Sequence, residues 1–190
     1  HKVIAFMSQY TIEPAREDDI GKLASIERAA AALFPDDVIS PKERASVVPL
    51  EQLVDARLLG RLWVALTQMN EPVGFIIVAP EADAGFIVEV DVLPEHQGRG
   101  LGRALIRCVV RWARKEGLSR ITLITFSEVS WNAPLYERLG FCRIERSRLP
   151  GALARRLDDE MHRGLRGRVA MELLIDSEPA RRMIEHSSIL

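Results

Sequence analysis

The ten residues from Leu93 to Gly102, LPEHQGRGLG, constrain this chain more than any other stretch. The apolar run Phe86 to Leu93 in front of them reads as a strand. Behind them Leu101, Leu105, Val109 and Trp112 recur at helical spacing, and Ala104 and Cys108 widen that face before Gly117 ends the helix. The stretch is therefore a strand-to-helix junction carrying Gly98, Gly100 and Gly102. Glycine has no Cβ, so a ligand can approach the backbone closely. The N–H groups at a helix start are unpaired, and the helix dipole favours an anion there. Arg99 and Arg103 add positive charge to the same mouth. A diphosphate suits this combination.

Two familiar phosphate loops do not fit. A dinucleotide fingerprint needs G-x-G-x-x-G, and counting from Gly98 puts Arg103 at the third glycine. A Walker A loop needs a lysine after its last glycine, and Arg103 follows Gly102. A plain flexible connection is the bland alternative. It is a costly one, since each ordered glycine gives up roughly 0.5–1 kcal/mol of backbone entropy. The pattern that remains is Q-x-x-G-x-G, Gln97 to Gly102.

The rest of the chain alternates. Tyr10 to Glu13 reads as a strand and Arg16 to Phe34 as a helix entered through Asp18 and Asp19. Ser40-Pro41 is a helix start, and Pro49 to Leu59 is a helix closed by Gly60. Arg61 to Leu66, Val73 to Ala79 and Phe86 to Leu93 read as an antiparallel meander. After the main helix come a strand at Ile121 to Phe126, a helix at Trp131 to Leu139 and a strand at Phe141 to Arg146. A helix at Pro150 to Gly164 and a strand at Arg168 to Ile175 complete the order. This is an α/β chain with a mixed sheet.

Composition excludes several classes. At 190 residues, 47% apolar and 28% charged, the chain is a soluble single domain that needs no disulfide or metal staple. Its two cysteines form no CxxC pair and no His-x-x-x-His occurs, so no metal is expected. A net charge of −1 lacks the basic excess of a dedicated nucleic-acid binder. No run approaches membrane-spanning length and no leader-like segment opens the chain, which predicts a cytoplasmic protein.

Three short motifs, taken in order and spacing, resemble the GNAT acetyltransferase superfamily. Gln97 to Gly102, with Val90 to Pro94 before it, is similar to that family's coenzyme A pyrophosphate motif. Asn132 to Phe141, NAPLYERLGF, is similar to its second motif, and Tyr10 to Arg16, YTIEPAR, to its opening strand. The resemblance implies the GNAT fold: a mixed, mostly antiparallel sheet of six to seven strands with helices on both faces. It implies a domain over 10–175; from the residues themselves, 1–9, with its first methionine at Met7, reads as a tag or flexible segment, and 176–190, carrying Ser177-Glu178-Pro179, as a tail.

The resemblance also implies chemistry: transfer of an acetyl group from acetyl-CoA to an amine of a small molecule or peptide, by direct attack in a ternary complex. Its needs are a base for the ammonium, donors for the oxyanion and an acid for the leaving thiolate. It places a bulge near Val92, with the N–H of Val92 or Leu93 facing the thioester carbonyl. Gln97, Gly98, Arg99, Gly100, Leu101, Gly102 and Arg103 hold the pyrophosphate. Tyr136 matches the general acid, with a core aromatic as the alternative. Asn132 is either a contact to the pantetheine arm or a helix N-cap, since the family's asparagine falls at Val129 here. Glu89 and Asp91 share one face of a central strand, where acids are costly unless paired or functional. They are candidate bases, and the alternative is that they bond backbone or an arginine. The acceptor pocket is expected from Leu33 to Ile39 and Leu149 to Met161, with Trp131 at its border. His96, Arg155 and Arg156 read as solvated. A homodimer through the strand Val169 to Ile175 is an expectation by analogy. The rival functions are an acyl-CoA sensor without acceptor chemistry, and an acetyltransferase acting on an RNA-linked amine.

Overall fold

The computed structural model describes residues 9–185. One seven-stranded sheet runs in the order β1-β2-β3-β4-β5-β7-β6. The strands are β1 (Tyr10–Pro14), β2 (Leu62–Thr67), β3 (Pro72–Glu81), β4 (Ala84–Val92), β5 (Arg120–Phe126), β6 (Cys142–Arg143) and β7 (Arg168–Leu174). Neighbours are antiparallel except β4 and β5, which are parallel. The mixed, mostly antiparallel sheet with helices on both faces is the expected one.

Side-chain alternation assigns the faces. On one face Ile76, Val78, Ile87 and Met171 join the core under α4 (Leu101–Lys115). The helix buries Leu101, Ala104, Leu105, Ile106, Val109, Val110 and Ala113, the stripe its period predicts. On the other face Phe75, Ile77, Val64 and Leu66 meet α1 (Glu17–Ala31) and α3 (Leu50–Leu58). Farther along that face Phe86 and Ala170 pack against Leu153 and Leu157 of α6 (Gly151–His162). A short helix α2 (Pro41–Arg44) starts as read, with Ser40 Oγ accepting from the Glu43 N–H at 3.2 Å. The helix α5 (Ala133–Arg138) follows β5.

Three expectations change. The strand read over Phe141 to Arg146 shrinks to Cys142–Arg143, because Arg146–Arg148 turn into a 3₁₀ segment. The last strand, β7, is interior rather than an edge, since β6 covers it and β1 and β6 form the edges. The expected tail contains α7 (Glu178–Glu185), whose Ala180 and Met183 are buried in the core beneath α4. The expected N-terminal segment, apart from Gln9, lies outside the described residues, as do 186–190. No helix among the described residues is long and apolar enough to cross a membrane.

The feature that positions everything else is a parting of strands. β4 pairs with β5 only over Ala84–Phe86 against Arg120–Thr122. β4 then stays with β3 up to Val92 opposite Gly74, while β5 stays with β7 up to Phe126 opposite Arg168. The bulge expected near Val92 sits earlier: Val78 faces Ile87 and Ile77 faces Glu89, so Val88 is the extra residue. A bulge bends its strand and increases local twist, which fits a parting that begins there.

Candidate active site

The parted strands open a cleft of about 1000 Å³, lined by β4 from Phe86 to Val92 and by β5 from Leu123 to Phe126. The Gln97–Arg103 loop, except Arg99, closes one end. Phe34, Trp131 and α6 line the other.

The loop is built as its glycines predict. Gly98 (φ +72°) and Gly100 (φ +79°) hold the left-handed conformation that side chains resist, with open space where a Cβ would stand. Gly100 is the N-cap of α4, so the unpaired N–H groups of the first turn face the cleft mouth. Gln97 turns back on the strand, its Nε2 donating to the Val92 carbonyl at 3.0 Å. Arg103 lines the cleft and Arg99 does not. Arg99 lies toward β1, 6.0 Å from the Tyr10 ring centroid, with Nη1 3.5 Å from Gln9 Oε1. His96 is not merely solvated: its Nδ1 is 2.8 Å from the Tyr10 hydroxyl.

The register separates the two oxyanion candidates. The Leu93 N–H donates to the Val73 carbonyl at 2.8 Å, so it points to β3. Antiparallel alternation then turns the Val92 N–H to the opposite edge, into the cleft. Leu93 is spent on the sheet.

Glu89 and Asp91 come together with a third acid that sequence reasoning missed. Glu27 reaches in from α1, and one carboxylate oxygen of each residue lies within 4.8 Å of the others. Glu27 Oε2 accepts from the Val48 N–H at 2.9 Å, which ties the acids to the segment before α3. Burial raises the proton affinity of all three. It acts first on Glu89, aided by the charges of Asp91 and Glu27, and holds that carboxyl well above its usual range. Asp91 is pushed up to about 8 by burial and the Glu27 charge. Glu27 is raised mainly by burial. Each of the three therefore gives up its proton less readily than an ordinary carboxyl. They are also the described residues whose oxygens are close enough to share a cation. A signal for Glu27 existed: it lies on the stripe of Ile20, Leu23, Ile26 and Ala30, an acid on an apolar helix face.

Tyr136 stands on α5, edge-on to Phe141 with centroids 5.7 Å apart. Its phenol is raised by burial first, then by the Glu89 and Asp91 charges. Asn132 occupies the N-cap position of α5 but makes no cap bond. Its Oδ1 accepts instead from Thr125 Oγ1 at 2.7 Å and from the Phe126 N–H at 3.4 Å, binding α5 to the end of β5. The end of the cleft away from the glycine loop is aromatic, with Phe34 5.4 Å from Phe126 and 5.5 Å from Trp131. Two arginines line it that sequence reasoning passed over. Arg156, read as solvated, lies 4.0 Å over Phe86 and pairs with Glu81 at 2.6 Å. Arg168 lies 4.4 Å over Phe126 and pairs with Glu160 at 2.7 Å. The Arg168 charge acts on Glu89 without a bond between them.

Comparison with known proteins agrees with this geometry. The sequence model described as Acetyltransferase (GNAT) family matches residues 25–141. A mycothiol acetyltransferase of Cellulomonas flavigena is 37% identical over 90 residues, 47% of this chain and 25% of that protein. The chain thus spans about a quarter of that relative's length. N-acetylglutamate synthase from Neisseria gonorrhoeae, solved with coenzyme A and N-acetyl-glutamate, superposes with a TM-score of 0.64. It is 18% identical, over 90% of this chain and 36% of that one. PaiA N-acetyltransferase from Thermoplasma acidophilum, solved with coenzyme A, gives 0.63 at 17% identity, covering 88% and 99%. At such identities the two structures speak for the fold.

Proposed function

The chain belongs to the acetyltransferase (GNAT) family, and from that premise we propose that it moves an acetyl group from acetyl-CoA directly to a primary amine of a small molecule or peptide. The observation that carries the reading is the cleft between β4 and β5, with a glycine loop at one end and proton-binding groups on both walls. Acetyl-CoA is a cosubstrate here. Its pyrophosphate suits the N–H groups at the start of α4 and the Arg103 charge. Its pantetheine arm suits the unpaired edge of β4, and the Val92 N–H suits the thioester oxygen.

The residues then divide the proton work. The acceptor enters as an ammonium from the aromatic side. The Glu89–Asp91 pair takes its proton, directly or through one water, and Glu27 sets how tightly that pair holds it. The freed nitrogen lone pair attacks the carbonyl carbon, and the Val92 N–H receives the developing oxyanion. Collapse breaks the carbon–sulfur bond. The Tyr136 hydroxyl, a high-pKa phenol that holds its proton until the thiolate forms, gives that proton to the leaving thiolate. The surplus proton on the attacking nitrogen then passes through water to the phenolate, leaving a neutral amide and a restored Tyr136. Both cysteines are free, which fits a reducing, cytoplasmic setting.

The test is thiol release from acetyl-CoA over a panel of polyamines, amino acids, aminoglycosides and peptide N-termini. At least one amine is expected to give turnover with intersecting initial-rate lines, as a ternary complex requires. A rise in melting temperature with acetyl-CoA but no release from any amine would replace this reading with a sensor.

A further inference from the structure

A second positive feature lies outside the cleft, on the flank of α4. Over Leu101–Lys115 this helix carries four arginines and a lysine and no acid, in a chain of net charge −1. At 3.6 residues per turn Arg103, Arg107, Arg111 and Arg114 share an arc of about 80°. Arg107 is the buried member, only 9% exposed. Arginine is almost never buried unless paired. Yet no carboxylate pairs with Arg107 among the described residues, and its Nε has no hydrogen-bond partner. Burial lowers the pKa of its guanidinium, and the Arg111 and Arg103 charges add to that. A desolvated cation among like charges is costly unless a counter-charge is supplied.

Arg107 lines a cavity of about 200 Å³ between α4 and the edge strand β1, together with Tyr10, Ile12, Leu101, Ala104 and Arg111. That is below the roughly 300–1,000 Å³ of pockets that enclose a whole ligand, and it suits one anionic group. We propose that this cavity is an anion site, distinct from the cofactor loop, that receives a phosphate group on Arg107 with Arg111 beside it. Clustered arginines favour a phosphate dianion over a carboxylate. The site shares a wall with the cleft, because Leu101 lines both. The Tyr10–His96 bond also links its rim to the loop.

The test titrates the full chain with inorganic phosphate by calorimetry, with and without saturating coenzyme A. Coenzyme A occupies the loop, so the phosphate that still binds reports the α4–β1 cavity. Wild type is expected to keep one phosphate under coenzyme A, and Arg107→Gln to bind it at least about tenfold more weakly. Sulfate should follow phosphate, and acetate should bind far more weakly. Ile12→Glu places a carboxylate on the cavity wall and should abolish phosphate binding while every arginine remains. It serves as the test should Arg107→Gln fail to fold. Equal phosphate affinity in wild type and a folded variant, full displacement by coenzyme A, or acetate binding as tightly as phosphate overturns the assignment. A chain that binds no coenzyme A would sink the function proposed above, while the comparison of wild type with Arg107→Gln still decides this site.

Discussion

Glu27→Gln changes one charge in the acid cluster and little else. The amide oxygen can still accept from the Val48 N–H, now 2.9 Å from Glu27 Oε2. What disappears is a negative charge within 4.8 Å of the Glu89 and Asp91 oxygens. Two unit charges at that distance interact by about 3 kcal/mol at an effective dielectric near 20, which corresponds to about two pK units. Glu89 and Asp91 are partly solvated, and solvent screens the interaction. About one unit is therefore the expected shift. The sign follows from the cause. The Glu27 charge raises the proton affinity of Asp91, which burial and that charge together push up to about 8. Without the charge the base releases its proton at lower pH, so the acid limb of kcat/KM moves down. The assay is the pH profile of kcat/KM for one acceptor, wild type against variant, so that the acceptor's own ionisation cancels. An unmoved limb, or one that moves up, refutes the role given to Glu27.

Asp91→Asn should alter how stability depends on pH. An acid whose folded pKa is raised binds more protons folded than unfolded, so stability falls as pH rises from the unfolded value of 3.8 to about 8. Denaturant melts across that window should show a shallower decline in the variant than in wild type, and equal slopes would contradict the burial of this charge. Tyr136→Phe keeps the edge contact to Phe141 and should lower kcat by about 10²-fold or more, read by thiol release; an unchanged kcat would remove the acid role. Gly100→Ala meets no neighbour but must hold φ +79°, which costs about 1–2 kcal/mol; a lower melting temperature and a higher KM for acetyl-CoA should appear together. Gly85→Ala would bring a Cβ to 2.8 Å from the Trp112 ring, so overpacking should cost about 1–3 kcal/mol in chemical denaturation.

Local patterning made much of this molecule legible. The α4 stripe, the Ser40 cap and the glycine loop each followed from period or backbone chemistry within a few residues. The cleft was harder to read, because it is a property of pairing. Nothing in Phe86 to Leu93 says that β4 leaves β5 after Phe86, since those strands are separated in the chain by all of α4. The bulge at Val88 is a register event for the same reason. Leu93 and Val92 were indistinguishable until the Val73 carbonyl claimed one N–H. Glu27 was hidden differently: its helix read correctly, but an acid on the apolar stripe signals function only once Glu89 and Asp91 stand opposite. Arg156 reads as a solvated charge and Arg168 as a strand start, and their aromatic partners lie far away in sequence.

Direct transfer within the cleft is tested by a stoichiometric experiment. Protein is mixed with one equivalent of acetyl-CoA without an acceptor, quenched, and its intact mass recorded with the free thiol; an active amine is then added. Direct transfer gives no thiol burst and no acetyl adduct before the amine, then matched release of thiol and acetylated amine after it. A stoichiometric burst with an acetyl group on the protein, at Cys108, Cys142 or elsewhere, would contradict it.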